Sequence, residues 1–550
     1  MKKSFLQSAL VLTIATFFVK IAGLVFTVAI QQYALRDTGM AVFYGAYDIY
    51  NLFAVLASAG LPVAVSRMIS ETLVRENHDE AQKIYKVSIR LFIYIGAALA
   101  AIMLIFGDGL AALLNNPDSG LSIRVLSVTA FCAFMMSALR GYFQGHSYMR
   151  PTAVSQVIEA FVKLGLGMSL AVIIMKAGGT DKTGSAGALI GVSVGAVLAV
   201  VYLLFKKRKF DKEIVLTGME TRSTKAIVKE LFRIAIPVSL GASVMSVVNV
   251  IDNYLIMNIL QEGAPVFAAR IGGFGLSYES AKELFGIFGN AKKIFNLPSA
   301  FIVPFTVSIL PALTAAYVSK NRKDVVGNLT SCFKYSMMLA LPAGIGMIIL
   351  AKPIYNLLYR TENTDLGAVM LAIFGLAVIL YAVVSITGSI LQAFGKVNMP
   401  LVSLVVGGIV KCILTAVLVS TPSIGIIGAP IATCICYVVM IFMNFFFLRK
   451  FMKGSVKRIL VNFIKTLVAT VLMGGAAYLV YTLLSSRIDI FASRTIQLVT
   501  TIAFIGVAVV VYVAAIFLFK VVTPGELKET LGRRKKAKDE PEEDSDLEEL

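Results

Sequence analysis

The sequence has no tryptophan, two histidines and five cysteines among its 550 residues, and only 15% of its residues are charged. His78 and His146 stand in separate loops, without the paired spacing of a metal-ligand array. There is no P-loop, no Gly-x-Ser-x-Gly and no His-Glu-x-x-His pattern. We therefore expect no catalytic residue, no metal and no cofactor, and a protein that is not an enzyme.

The cysteines lie in or beside apolar runs. Such positions indicate small buried hydrophobic residues rather than disulfides or metal ligands. The five positions are Cys132, Cys332, Cys412, Cys434 and Cys436.

The sequence is rich in apolar residues: 58% of the residues are hydrophobic and the mean hydropathy is +0.82. A chain of this composition is typical of a polytopic membrane protein. The net charge of +19 does not indicate nucleic acid, because the lysines and arginines lie in short loops between apolar runs. Such loops set membrane topology and attract anionic lipid headgroups.

The pattern of apolar runs predicts an all-α fold with fourteen transmembrane helices. The first 32 residues carry Lys20 inside a long apolar run, so we interpret them as a first span rather than a cleaved signal peptide. The predicted helices cover 8–32, 43–66, 88–106, 121–143, 152–175, 184–205, 228–260, 284–316, 330–350, 367–393, 400–420, 425–448, 459–484 and 496–520.

Basic residues concentrate in alternate loops. The positive-inside rule then predicts a multi-pass protein with both termini in the cytoplasm, in agreement with an even number of helices. Residues 521–550 place a basic cluster before an acidic run, and we expect them to form a disordered cytoplasmic tail. The basic half of this tail either contacts anionic lipid or, with the acidic half, only keeps the chain soluble.

An internal repeat divides the chain. Phe18-Val-Lys-Ile-Ala in helix 1 matches Leu231-Phe-Arg-Ile-Ala in helix 7, and Pro62-Val-Ala-Val-Ser in helix 2 matches Pro304-Phe-Thr-Val-Ser in helix 8. Because each copy has an even number of helices, the copies are parallel and form two lobes with a cavity between them. The predicted divisions are an N-lobe at 1–205, a basic cytoplasmic linker at 206–225, a C-lobe at 226–448 and two further helices at 449–520.

Charged residues inside the predicted spans are candidates for the cavity, because each costs roughly 2.5–3.5 kcal/mol at the centre of a bilayer. Lys20 in helix 1 and Arg233 in helix 7 occupy matching positions of the repeat and are expected to face each other across the cavity. The alternative for both is that the side chain extends to the membrane interface.

The position of Lys292 and Lys293 depends on where helix 8 begins. A start near Leu284 places them inside the membrane, and a start near Ile294 makes them interfacial anchors. The apolar residues before them favour the first alternative. Asp48 and Asn51 in helix 2 belong either to an interfacial rim or to the outer part of the cavity.

Two further charge pairs are predicted within single lobes. Asp252 in helix 7 and Lys411 in helix 11 are expected to form an ion pair, because each is deep in an apolar run. Glu159 and Lys163 are four residues apart on helix 5 and are expected to neutralise each other.

Several of these stretches resemble a known family. IFNLPSA and VSILPAL in helix 8, FVKIAG in helix 1 and YDIYNLFAVLASAGLPVAVSRMISE in helix 2 are similar to the multidrug/oligosaccharidyl-lipid/polysaccharide exporter superfamily. Within it, the chain resembles the polysaccharide-biosynthesis branch, which contains MurJ- and SpoVB/YtgP-type lipid flippases. The resemblance covers all fourteen predicted helices.

The resemblance implies a V-shaped pair of lobes in a bacterial plasma membrane. It also implies a flippase that carries a polyprenyl-pyrophosphate-linked oligosaccharide, such as lipid II, from the inner to the outer leaflet. Lys20 and Lys293 match basic cavity positions of the family. Phe26, Ala54 and Val55 stand where MurJ-type members carry arginines.

The resemblance also bears on coupling and on partners. Asp252 matches an acid that some members use to bind sodium, whereas Lys411 occupies the place of another expected ligand, so we expect an ammonium group in place of a metal ion. The chain is expected to be a monomer, with envelope-synthesis proteins as possible partners. The alternatives are a cation-coupled multidrug exporter of the same superfamily, a membrane glycosyltransferase, or a non-catalytic scaffold for envelope synthesis.

Overall fold

A computed structural model describes residues 2–212, 214, 218–261, 277–308, 310–359, 363–396, 398–449, 455–490 and 492–521, with side chains for all of these except 2–14, 300 and 303–312. The predicted tail at 521–550 lies outside the described residues, except for its first residue.

The described residues between Lys2 and Asp211 form nine α-helices and two π-helical turns. The α-helices are α1 Lys2–Ile30, α2 Arg36–Ser58, α3 Gly60–Leu73, α4 His78–Ile105, α5 Gly107–Leu113, α6 Ser119–Gly145, α7 Arg150–Val162, α8 Met168–Lys176 and α9 Asp181–Asp211. The π-helical turns, Gln31–Leu35 and Lys163–Gly167, join α1 to α2 and α7 to α8.

The described residues between Thr224 and Leu518 form ten further α-helices. They are α10 Thr224–Gln261, α11 Tyr278–Ser308, α12 Leu310–Val318, α13 Arg322–Ile349, α14 Ala351–Leu358, α15 Thr364–Ala393, α16 Asn398–Ser420, α17 Gly428–Leu448, α18 Val456–Ser485 and α19 Arg494–Leu518. The residues described include no β-strand, so the all-α prediction is correct.

Twelve helical segments of the described chain are long and apolar enough to cross a membrane. One of them, Ala15–Leu73, contains the predicted helices 1 and 2 in a single run, and the helix that begins at Tyr278 is not among the twelve. The number fourteen therefore stays a prediction.

The largest departure from the predicted elements is the connection between helices 1 and 2. The predicted loop at 33–42 is wrong, because the π-helical turn leads directly into α2 at Arg36. Arg36 has φ of 48°, so the direction of the chain changes at this one residue. The short helices α5 and α14 were not predicted either. Neither is long enough to show a membrane-length apolar run.

Helix packing produces two lobes. In the N-terminal lobe the buried side chains of α1–α6, α8 and α9, with three from the start of α10, form two apolar clusters. In the C-terminal lobe those of α10–α17, with Ala41 of α2, form a third. Helices α18 and α19 pack on each other through a smaller cluster at the edge of the C-terminal lobe. The predicted boundaries of the lobes stay predictions.

The two lobes meet where α2 and α3 cross α10. The Gly60 amide donates a hydrogen bond to Ser239 Oγ over 3.2 Å, and Ser239 Oγ donates to the Leu56 carbonyl over 3.0 Å. A Cβ atom on Gly60 would lie 2.2 Å from the carbonyl oxygen of Ala235. Only glycine allows the backbones to approach this closely, which is the packing that membrane helices favour.

This contact leads to a first prediction. Replacing Gly60 with valine forces α3 away from α10, and overpacking of this kind costs roughly 1–3 kcal/mol. We expect the Gly60→Val variant to unfold at a temperature several degrees lower in detergent, as measured by intrinsic tyrosine fluorescence.

Gly475→Val is the matched control, because a Cβ atom at Gly475 on α18 meets nothing within 4 Å. Equal melting temperatures for the two variants would contradict the close contact at Gly60.

Candidate functional site

The start of α11 decides how far inside the helix Lys292 and Lys293 lie. The helix begins at Tyr278, six residues before the earlier of the two predicted starts. Lys293 is therefore about four turns inside the helix, so the start near Ile294 is wrong. The location of Lys292 and Lys293 inside the membrane stays a prediction. Pro298 and Pro304 lie within α11, and Pro311 lies within α12.

A cavity of about 550 Å³ lies between α1, α2, α7 and α11. It holds cationic, amide and phenolic side chains together, in contrast to the apolar surfaces around it. The residues that line it are Val19, Lys20, Gly23, Leu24, Tyr47, Tyr50, Asn51, Glu159, Ala160, Lys163, Val192, Lys293, Asn296, Leu297, Ser299 and Tyr381.

Three lysines line this cavity, each from a different helix or turn: Lys20 from α1, Lys163 from the π-helical turn and Lys293 from α11. The ammonium group of Lys163 lies 4.9 Å from the centre of the Tyr47 ring, and that of Lys293 lies 5.9 Å from the same ring. One aromatic ring is therefore close to two cations, and the ring quadrupole attracts ammonium groups that have lost part of their water.

Lys163 also contacts Phe26, with 4.7 Å between the ammonium nitrogen and the ring centre. Phe26 is one of the positions at which the family resemblance implies an arginine. A cation is thus present at this place in the cavity, but it comes from a different helix.

The predicted neutral pair of Glu159 and Lys163 is wrong. The Glu159 carboxylate instead pairs with the guanidinium of Arg140 on α6. Arg140 is also held by Ser155, whose Oγ accepts hydrogen bonds of 3.1 and 3.0 Å from Nε and Nη2. Among the described residues, no carboxylate lies within 4 Å of the Lys163 ammonium group. The sequence argument missed this because i,i+4 spacing gives Glu159 a neighbour but does not show competition from another helix.

A smaller cavity of about 90 Å³ continues toward α10. Its lining includes Asp48, Asn51, Lys292 and Lys293. Asn253 donates a hydrogen bond to the Asp48 carboxylate, and Lys292 donates one of 3.3 Å to Asn249. Asp48 is therefore well inside α2, at the contact between the lobes, and it lines this cavity.

Asp252 and Lys411 form a buried ion pair inside the C-terminal lobe. The Lys411 ammonium lies 2.6 Å from Asp252 Oδ2, and Thr415 Oγ1 donates to Asp252 Oδ1 over 2.6 Å. Asp252 is fully buried and Lys411 is 3% exposed. In the described part of the chain, no group of three or more His, Cys, Asp or Glu side chains is arranged to hold a metal ion.

Arg233 lies on α10, about two and a half turns after Thr224. Its side chain is exposed, and it is not among the residues that line either polar cavity. The structure therefore does not bring Arg233 and Lys20 together in one cavity.

A network of polar contacts joins the lobes at the end of the bundle that carries Lys282, which we call the Lys282 end. Lys282 is 2% exposed and lies 3.0 Å from Asp118, 3.5 Å from Asp181 and 2.9 Å from Glu279. Deeper in the same interface, Asn290 donates to Asp37 over 2.9 Å. These contacts hold α11 against the N-terminal lobe.

The opposite end, which we call the Arg222 end, attaches the linker to both lobes. Arg222 pairs with Glu80 on α4 and with Glu230 on α10. Burial favours the neutral form of Arg222, but the two carboxylates outweigh burial and raise its pKa. Asn77 also donates to the Glu220 carbonyl over 2.9 Å.

An apolar groove of about 530 Å³ lies where α18 packs on the C-terminal lobe. Two cations, Lys334 and Arg449, stand beside its aliphatic and aromatic surface. The other lining residues are Phe333, Met337, Val383, Phe445, Val456, Ile459, Leu460, Asn462 and Phe463.

The Asp252–Lys411 pair generates a prediction about stability. Asp252→Asn leaves a buried ammonium without a counter-charge, which costs about 3–5 kcal/mol. We expect a large fall in the melting temperature of this variant. The double variant Asp252→Asn/Lys411→Met should recover most of it, because both charges are removed.

Asp365→Asn is the control, since Asp365 pairs with Lys352 at an exposed site and its loss should leave the melting temperature unchanged. A double variant no more stable than Asp252→Asn would contradict the pairing.

Comparison with known proteins agrees with this architecture. Residues 5–317 match the family described as "Polysaccharide biosynthesis protein". The chain is 26% identical to "Lipid II flippase MurJ" of Bacillus subtilis (strain 168), over 97% of this chain and 98% of that protein.

Two solved structures share the fold. "Lipid II flippase MurJ, inward closed conformation" has a TM-score of 0.67 at 16% identity, covering 93% of this chain and 98% of that one. An inward-facing multidrug resistance transporter of the MATE family has a TM-score of 0.63 at 17% identity, covering 80% and 96%. The matched proteins are described as flippases and transporters rather than as enzymes. The chain belongs to the polysaccharide biosynthesis protein family, within the multidrug/oligosaccharidyl-lipid/polysaccharide exporter superfamily.

Proposed function

We propose that the chain is a flippase that moves a polyprenyl-pyrophosphate-linked oligosaccharide, lipid II or a related cell-envelope precursor, from the inner to the outer leaflet of a bacterial plasma membrane. The observation that carries the proposal is the cavity lined by Lys20, Lys163 and Lys293. Its cations lie between the lobes, where a transported headgroup would pass.

The chemistry of the cavity suits the headgroup of such a lipid. A pyrophosphate must exchange its water for other donors when it leaves the aqueous phase, and ammonium groups in a low-dielectric site replace that water effectively. Tyr47, Tyr50 and Tyr381 offer aromatic faces, and Asn51 and Asn296 offer amide groups, for a sugar. The site therefore combines an anion-binding part with a carbohydrate-binding part.

The hydrocarbon tail needs a different surface. The apolar groove between α18 and the C-terminal lobe provides aliphatic and aromatic contacts. A tail in such a groove stays in an apolar environment while the headgroup crosses, so the protein need not enclose the whole lipid.

The contacts at the Lys282 end supply the gate that alternating access requires. Separation of Lys282 from Asp118 and Asp181 would open the cavity at that end. We place this end on the outer side, because the basic loops, including the linker with Arg222, lie at the other end. Both termini are then cytoplasmic.

We assign the predicted site residues as follows. Lys20 and Lys293 bind the pyrophosphate, and Asn51 binds the sugar. Lys292 and Asp48 lie in the adjoining small cavity and couple the headgroup to the contact between the lobes. Arg233 attracts the anion before it enters the cavity. The Asp252–Lys411 pair holds α10 on α16 and replaces a coupling metal ion.

The second candidate is a cation-coupled multidrug exporter, favoured by the shared fold with a MATE transporter. A cavity that binds organic cations would need carboxylates facing it. The only carboxylate lining the large cavity, among the described residues, is Glu159, and Arg140 neutralises it. The cavity therefore repels cations.

The central test is truncation of the cavity lysines. We expect Lys20→Ala and Lys293→Ala each to abolish transport of lipid II in proteoliposomes while leaving the amount and melting temperature of the protein unchanged. Lys176→Ala, at the end of α8 and outside the cavity, is the control and should transport normally. Full transport by both cavity variants would eliminate the proposed site.

A second experiment identifies the substrate in cells. Depletion of the protein should cause one lipid-linked intermediate to accumulate on the cytoplasmic side, and mass spectrometry of extracted lipids identifies its glycan. Accumulation of an exported drug with no change in lipid-linked intermediates would favour the multidrug exporter instead.

The gate can be tested by cross-linking. With the five free cysteines replaced, Asp118→Cys and Lys282→Cys place one thiol on each lobe at the Lys282 end. We expect a bifunctional thiol reagent to stop transport, because the linked lobes cannot separate. A reagent of the same reactivity with one functional group is the control. Undiminished transport by the linked protein would exclude opening at this end.

A further inference from the structure

The cavity contains one cation, Lys163, whose neutralisation by a carboxylate depends on a contact made outside the cavity. Lys163 and Glu159 lie on the same helical segment four residues apart, a spacing at which such side chains normally pair. Here the Glu159 carboxylate is turned to Arg140 on α6. If Glu159 pairs with Arg140, the charge of Lys163 is left unneutralised at the cavity. If Glu159 paired with Lys163, that charge would be neutralised.

Several contacts favour the pairing of Glu159 with Arg140 over its pairing with Lys163. Its side chain is 17% exposed, and Ser155 fixes the guanidinium through two hydrogen bonds in addition to the carboxylate contact. A planar guanidinium also matches a carboxylate better than an ammonium group does. Lys163 is left among the rings of Phe26 and Tyr47, which stabilise a cation without neutralising it.

The backbone contributes to the same arrangement. Lys163 is the first residue of the π-helical turn that interrupts the helix between α7 and α8. A π-helical turn changes the direction in which the following side chains project, and such turns are frequent at functional sites. Gly167 at the end of the turn packs against the backbone of α9, where a Cβ atom would lie 2.6 Å from the Ala188 carbonyl oxygen.

We propose that Lys163 is a third pyrophosphate-binding residue, and that Arg140 is a positioning residue that keeps it available by holding Glu159. This inference rests on the proposed function, because it assigns a ligand to the same cavity. Three ammonium groups then face the two phosphates of the substrate. If Glu159 were released, it would neutralise Lys163 and reduce the attraction of the cavity for the anion.

The experiment measures binding of undecaprenyl pyrophosphate to the full-length protein in nanodiscs of neutral lipid. Lys163→Met should weaken binding about tenfold, the effect of one charge-assisted hydrogen bond. Lys176→Met is the matched control. It is the same change at the end of α8, the helix that follows the π-helical turn, and it lies outside the cavity. Melting temperatures confirm that each variant is folded.

Arg140→Gln should also weaken binding about tenfold, although Arg140 does not line the cavity. The double variant Arg140→Gln/Glu159→Gln should restore binding to near the level of the wild type, because the competing carboxylate is gone. In the Lys163→Met background, Arg140→Gln should have no further effect. A purely structural role of Arg140 would produce neither the rescue nor the dependence on Lys163.

The outcomes separate the inference from the proposed function. If the wild type binds the probe and Lys20→Met weakens binding while Lys163→Met does not, the role of Lys163 is disproved and the proposed function stands. Failure of the double variant to recover disproves the positioning role of Arg140. If the wild type does not bind the probe at all, the proposed function fails together with this inference.

Discussion

The arrangement of this protein depends on the high free energy of an ionised side chain in an apolar medium. Each deep charge is therefore either neutralised by a fixed partner or placed at a polar cavity. Asp252 with Lys411 and Glu159 with Arg140 are neutralised pairs. Lys20, Lys163 and Lys293 belong to the second group, since all three line the cavity, and Lys163 and Lys293 also contact aromatic rings. The cavity gains its excess positive charge because carboxylates nearby are engaged by other cations.

The same principle connects the site with the contact between the lobes. At one end the Lys282 ammonium group holds carboxylates from both lobes, and at the other end the Arg222 guanidinium does the same with Glu80 and Glu230. Between these ends the lobes touch through close backbone packing at Gly60 and through side-chain hydrogen bonds, from Asn253 to Asp48 and from Asn290 to Asp37. Ion pairs at each end, with packing and hydrogen bonds between them, are features of an interface that can open at one end while remaining closed at the other.

Much of the fold follows from the sequence alone, because a membrane-spanning helix must be apolar over its whole length. The helical class follows from this requirement, and so does the position of Lys293 well inside its helix. The direct passage from α1 to α2 does not, since its π-helical turn has no distinctive composition. The role of Glu159 could not be predicted either, because its partner Arg140 lies on another helix and its preference depends on tertiary distances. Lys163 met the same criterion as Lys20, an isolated cation deep in a span. It was not predicted as a cavity residue because the i,i+4 spacing assigned it to a pair with Glu159.

The Lys411 ammonium group differs from a bound metal ion in one physical respect. It is covalently attached, so its effective concentration beside Asp252 is constant and does not follow the composition of the surrounding fluid. A site occupied by a free ion is full in one ionic environment and empty in another, whereas this carboxylate has its counter-charge in every environment. The charge balance at this place in the C-terminal lobe therefore does not depend on the salt in the surrounding fluid.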